Sequence, residues 1–188
     1  MLTHLLSLTA QAAAAELQSP QLRMGFHAQG EQQAHTPLTH LMFPDVVSGA
    51  APYVYAGLKH QFTDQRWNLE TLLGSGLTPD GLDPVLSLRL ERSAPLLYLW
   101  VDAEYAPLAQ HNLYGFATVA VPLGPWLVGV DSEDWVNLGA EAEGATNQVQ
   151  WSVGPTVGIK LGPYLFLAQS LLWTRDGPIP RTYFQLFL

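Results

Sequence analysis

Residues 148–173 read QVQWSVGPTVGIKLGPYLFLAQSLLW. In the first arm Val149, Trp151, Val153, Pro155, Val157, Ile159 and Leu161 alternate with Gln148, Gln150, Ser152, Gly154, Thr156, Gly158 and Lys160. Successive side chains of a strand point to opposite faces, so this arm has one apolar face and one small, polar face. Gly162 and Pro163 turn the chain, and an apolar run from Tyr164 to Trp173 returns beside it. Which of the two faces meets water decides the fold. Pro155 is the discordant residue: it has no N–H to give a ladder, so a bulge or a lost ladder bond is predicted there.

The composition answers the question of the faces. The chain has 188 residues, enough for one packed domain or one closed barrel. Only 13% are charged, about half of the roughly 25% of an average soluble domain. Hydrophobic residues make up 48%, yet no run approaches the roughly 20 apolar residues of a membrane helix. A soluble barrel must coat its outside with charge. A transmembrane barrel needs little, because its outside is apolar and its signal is spread over short alternating strands. The composition therefore predicts an all-β, antiparallel, up-and-down transmembrane β-barrel with its apolar faces toward lipid.

Net charge is −8, which argues against a nucleic-acid partner, since phosphate binding needs clustered Lys and Arg. The absence of cysteine excludes disulfides, thiolate metal sites and Cys nucleophiles. At the N-terminus Leu2 to Leu8 is mostly apolar, and Ala13-Ala14-Ala15 has the small-x-small form of a signal-peptidase site, although no Lys or Arg precedes it. Residues 1–19 are expected to be a signal peptide, or else an N-terminal helix that packs on the barrel or plugs it. Residues 20–188 form the barrel domain.

Alternation along the chain predicts about ten strands, near 21–29, 52–62, 66–74, 84–92, 95–106, 111–121, 125–133, 148–161, 164–173 and 181–188. Pro37, Pro44 and Gly49 mark Gly30 to Ala51 as a long loop. Gly76–Asp83, Asp134–Thr146 and Arg175–Pro180 are the other outer connections, with Pro107–Gln110 of middling length. Tight turns fall near Thr63–Gln65, Ser93–Ala94, Pro122–Gly124 and Gly162–Pro163. One end of the sheet thus carries the tight turns and the other the long connections, with both termini expected at the tight-turn end. Trp67, Trp126 and Tyr164 near the tight turns, and Trp135, Trp151 and Trp173 near the long connections, fit two interfacial aromatic belts.

The alternating strands from Leu22 on, the turn asymmetry, and the last strand Thr182-Tyr183-Phe184-Gln185-Leu186-Phe187-Leu188 together resemble the outer-membrane β-barrel proteins of bacteria as a broad class. The resemblance implies export through the periplasm, residence in the outer membrane and contact with membrane lipid and lipopolysaccharide. It also implies a C-terminal strand read by the barrel-assembly machinery. In that class the final residue is typically aromatic; here Leu188 follows Phe187.

With the apolar faces outward, Lys59, Glu70, Arg89, Glu91, Asp102, Glu104 and Lys160 fall on the lumenal face. Buried charges need partners, so these residues are expected to form a polar network. Such a network either seals and rigidifies the barrel or lines a narrow conduit. Candidates for chemistry are weak by comparison, and no cofactor or metal is expected. His35, His40 and Asp45 share the first long loop, but at a spacing that matches neither a helical nor a strand face. Asp131, Glu133, Asp134, Glu141 and Glu143 lack an EF-hand spacing, and no Gly-rich phosphate loop follows a strand and opens a helix. His27 and Ser87 could form a nucleophile–base pair only through folding. In the first long loop Leu38, Leu41, Met42, Phe43, Val46 and Val47 form an apolar patch that reads as a lid over the barrel mouth. The function expected is a small porin-like or structural surface protein without catalysis. The alternatives are a soluble or periplasmic lipocalin-like barrel with a hydrophobic ligand, and an outer-membrane enzyme acting on lipid or peptide.

Overall fold

The computed structural model describes residues 18–30, 35–62, 66–78, 81–107, 112–138 and 149–188. These residues form a closed barrel of eleven strands. In chain order they are β1 (Gln21–Gln29), β2 (His35–Phe43), β3 (Tyr53–Gln61), β4 (Trp67–Thr78), β5 (Gly81–Ala94), β6 (Leu97–Ala106), β7 (Asn112–Leu123), β8 (Trp126–Asn137), β9 (Val149–Leu161), β10 (Leu165–Thr174) and β11 (Gly177–Phe187). Each strand pairs antiparallel with the next. The barrel closes where β1 lies parallel to β11, from Gln21 beside Arg181 to His27 beside Phe187.

The eleventh strand corrects the expected ten. It is β2, inside the Gly30–Ala51 stretch expected to be a loop. Pro37 argued against a strand there, but it sits at the far end of the β1–β2 ladder. The β1–β2 register ends at Gln29 opposite Leu38, and the Gly30 N–H donates to the Pro37 carbonyl at 2.9 Å. There the missing N–H of Pro37 forfeits at most one terminal ladder bond. The expected lid is likewise overturned. Leu38 points inward and packs with Tyr55, Leu72 and Val85, with Met42 against them. Only Val46 and Val47 of that patch lie beyond β2, exposed in the connection to β3.

An odd strand count reverses the first strand. β1 starts at the end of the long connections, where the Gln18 N–H bonds to the Pro178 carbonyl at 2.9 Å. β11 ends among the tight turns, where the Leu188 N–H bonds to the His27 carbonyl at 2.8 Å. Gln18 and Leu188 therefore lie at opposite ends of the barrel, not both at the tight-turn end. Several hairpins also reach further than their Gly and Pro content suggested. β4 and β5 stay in register out to Thr78 opposite Gly81, through the expected Gly76–Asp83 loop. β8 runs to Asn137, past the expected loop start at Asp134, and β11 begins already at Gly177. Ladder bonds to a partner strand outweigh local turn propensity at these positions.

The alternation itself holds around the barrel. Ser152, Thr156, Ser87, Arg89, Glu70 and Asp102 are buried inside, while Val153, Val157, Leu86, Leu88, Leu73, Val128 and Val130 are exposed outside. Applied to every described strand, this alternation leaves only Arg92 and Asp134 as charged residues on the outward face. Arg92 lies near the tight-turn end, its guanidinium 5.1 Å from the Trp67 ring. Trp126, Trp151 and Trp173 are exposed on the outward face, but Trp135 is not part of a belt. It faces the lumen, edge-on to Tyr114 at 6.0 Å.

At Pro155 the ladder is lost on one side, as its missing N–H predicts. β9 pairs through it on the β8 side, with Val130 opposite. On the β10 side the pairing is interrupted between Thr156–Ser170 and Val153–Trp173 and resumes in the same register. The preceding Gly154 allows a close approach there: a Cβ on it would lie 1.8 Å from the Leu171 carbonyl oxygen.

Candidate functional site: the barrel lumen

Alternation aims the polar side chains at one another across the closed sheet, and they sort into three groups. The first is centred on Arg89 of β5, only 1% exposed. Register sets Glu70 of β4 on one side of it and Asp102 of β6 on the other. The guanidinium donates through Nε to Asp102 Oδ2 at 2.8 Å and through Nη2 to Glu104 at 3.3 Å. A third donation goes to His40 Nδ1, and the cation lies 4.9 Å from the centre of the Tyr55 ring. Ser87 donates to the other Asp102 oxygen at 3.0 Å. Because a guanidinium can only donate, His40 Nδ1 accepts and the ring proton sits on Nε2. That nitrogen is buried without a partner.

Lys59 extends this group toward the tight-turn end, 3.9 Å from Glu70 and 4.0 Å from Glu91. Asn68 donates to Glu91 at 3.1 Å. So Lys59, Glu70, Arg89, Glu91, Asp102 and Glu104 lie together on the wall formed by β3 to β6. Lys160 stands on the opposite wall, its ammonium 5.6 Å from the Tyr98 ring.

The second group was not foreseen as a unit. Glu133 of β8 receives Arg23 from β1 and Arg181 from β11. Arg23 also donates to the Tyr114 hydroxyl at 2.7 Å, and Arg181 donates to the Gln21 side chain at 3.1 and 3.0 Å. In the third group Asp131 accepts from Thr118 at 2.7 Å and from Ser170. Asp131 and Glu133 thus face inward to partners of their own, and no group of three or more metal-ligating side chains occurs among the described residues. Glu141 and Glu143 lie outside the described residues. His35 and His40 point to opposite faces of β2: His35 is exposed and contacts His60 at 3.2 Å, whereas His40 is buried. With its Nδ1 taken by Arg89, His40 is not placed to accept a proton from a serine.

At the long-connection end Asp45 ties β1 to the β2–β3 connection, accepting from the Leu22 N–H at 3.3 Å and the Val47 N–H at 3.1 Å. Slight burial pushes its carboxyl up, but hydrogen bonds from Ser48, Leu22 and Val47 outweigh this and hold it below the usual carboxylate range.

Among the described residues, three contiguous cavities follow one another along the lumen. The outer one, about 840 Å³, is at the long-connection end and has Arg23, Glu133 and Arg181 in its lining. A neck of about 80 Å³ follows, walled by Tyr98, Trp100, Phe116, Phe166 and Tyr183, and shares Arg23 and Arg181 with the outer cavity. An inner cavity of about 460 Å³ opens among the tight turns and shares Tyr98, Trp100 and Phe166 with the neck. The aromatic neck lies largely on β6 to β11 and meets the Arg89 network at His40 and Asp102.

No protein-family model matches this chain, and no curated protein or solved structure is detectably similar to it. The class that the fold defines is that of closed, predominantly antiparallel β-barrels with a charged interior.

Proposed function

We propose that this chain is a small, porin-like outer-membrane barrel whose lumen is a constricted polar passage. One observation carries the reading: between Arg92 near one rim and Asp134 near the other, the outward face of the described strands has no charged side chain, while the ion pairs are inside. Hydrophobic burial in water favours the reverse. A lipid-facing surface with a polar lumen is the arrangement of transmembrane barrels. In this reading the tight turns lie on the periplasmic side, the long connections face outward, and β11 is the strand offered to the assembly machinery. Membrane lipid and lipopolysaccharide surround the wall. The three contiguous cavities form the passage, and the aromatic neck limits it.

Two measurements test this. The refolded chain is expected to require detergent and to show a heat-modifiable band on a denaturing gel. A monomer soluble without detergent would falsify the membrane reading. In planar bilayers the chain is expected to conduct weakly, and Phe166→Ala, which removes a wall of the neck, is expected to raise the conductance. An equal conductance for both would show that the neck is not the constriction.

A further inference from the structure

The rim at the long-connection end is not level. β8 and β9 remain paired out to Val136 and Val149. β9 and β10, by contrast, pair no further than Val153 and Trp173, and the β10–β11 hairpin closes at Thr174 and Gly177. The wall is therefore notched above β10 and β11, and the outer cavity lies behind the notch. Its lining joins the two faces of the barrel. Trp151 belongs to the outward face and is 55% exposed. Ser152, Arg23, Glu133 and Arg181 belong to the lumen.

Arg175 and Asp176, in the β10–β11 turn, set one cation against one anion at the rim of this cavity, but its inner side is short of negative charge. Two guanidiniums share the one carboxylate of Glu133, and their other hydrogen bonds go to the neutral oxygens of Tyr114 and Gln21. Arg23 Nε and Arg181 Nη1 are buried with no partner, although Arg181 is only 3% exposed. Arginine cannot shed its proton to relieve this. A tetrahedral oxyanion offers several acceptors at once and matches the guanidinium fork.

We propose that the notch admits the phosphate headgroup of a membrane amphiphile onto Arg23 and Arg181, with its hydrocarbon chain leaving sideways past Trp151. This rests on the barrel standing in a membrane. The sideways exit is what separates a lipid from free phosphate. A soluble anion needs no gap in the wall and no indole at its lip, whereas an amphiphile needs both.

The test uses the full chain refolded into vesicles, with tryptophan fluorescence quenched by brominated lipids. Brominated phosphatidate is expected to quench at lower mole fraction than brominated phosphatidylcholine. Loss of one charge-assisted guanidinium contact in Arg181→Gln or Arg23→Gln is expected to cut that preference by about tenfold. Gln150→Phe, which narrows the cavity without adding a tryptophan to the signal and leaves both arginines in place, is expected to cut it as well. This variant keeps the test valid if an arginine variant fails to fold. Equal quenching by the two lipids overturns the site. So does a preference that survives Gln150→Phe and both arginine variants. Displacement of phosphatidate by inorganic phosphate of equal affinity overturns the lipid assignment in favour of a free anion. Failure of the wild-type chain to be quenched by either lipid, with no heat-modifiable band, overturns the membrane reading itself and is distinct from those results.

Discussion

At the scale of the residue, Arg89 shows how a closed sheet turns alternation into chemistry. Its burial is tolerable because Asp102, Glu104 and His40 take its donors and the Tyr55 ring faces the cation. Breaking a buried pair from one side leaves an uncompensated charge, at a cost of about 3–5 kcal/mol. Arg89→Ala is therefore expected to lower the urea midpoint of the refolded barrel substantially. A triple variant that also neutralises Asp102 and Glu104 as Asn and Gln should recover part of the loss. An Arg89→Ala midpoint equal to wild type would mean that solvent already screens this wall. Arg89 and its carboxylates were legible in the sequence because they sit at strict alternate positions in strands with clear apolar partners. Arg181 and Glu133 were not read as a pair. Arg181 follows Pro178 and Pro180, at the edge of an expected loop, and Glu133 stood in an acidic run that looked solvated. Only the closing of β1 against β11 brings Arg23 and Arg181 to the same carboxylate.

At the scale of the element, β9 and β2 show prolines with opposite effects on a prediction. Pro155 announced a lost ladder, and the loss falls on the β10 side, where Gly154 lets the Leu171 carbonyl approach. Adding one methyl there forces β9 and β10 apart, an overpacking cost of about 1–3 kcal/mol. Gly154→Ala is expected to lower the temperature at which the heat-modifiable band unfolds. Gly49→Ala gives the comparison for open space, since no atom lies within 4 Å of its Cβ position, although its positive φ adds strain of its own. A Gly154→Ala barrel as stable as wild type would show that the two strands have room to part. Pro37 misled in the other direction. It marked a break, yet it stands at the far end of the β1–β2 ladder, opposite Gly30, so its missing N–H costs at most one terminal bond. β2 was also obscured by its own inward face, where Leu38 and Met42 serve an apolar cluster and blur the polar-inside pattern.

At the scale of the whole molecule, the parallel seam between β1 and β11 makes a topological prediction that does not depend on which end faces outward. Ser19 and Ser48 lie at the long-connection end, and Pro163 lies at the other. Because the chain has no cysteine, single-cysteine variants report cleanly. Ser19→Cys and Ser48→Cys are expected to react together with an impermeant maleimide on intact cells or sealed vesicles. Pro163→Cys is expected to show the opposite accessibility. If Ser19→Cys instead followed Pro163→Cys, the strand count would be even and β1 would be misplaced. The amino-acid sequence was enough for the all-β class, for the alternation of faces along the ten strands it marked and for the polar character of the interior. Alternation along an extended chain is a local, two-residue property that needs no partner to be read. The eleventh strand, the opposite placement of Gln18 and Leu188, and the Arg23–Glu133–Arg181 group behind the notched rim emerge only in the folded barrel. These depend on which strands become neighbours when the sheet closes. No local pattern encodes that closure, because it joins residues from the two ends of the chain.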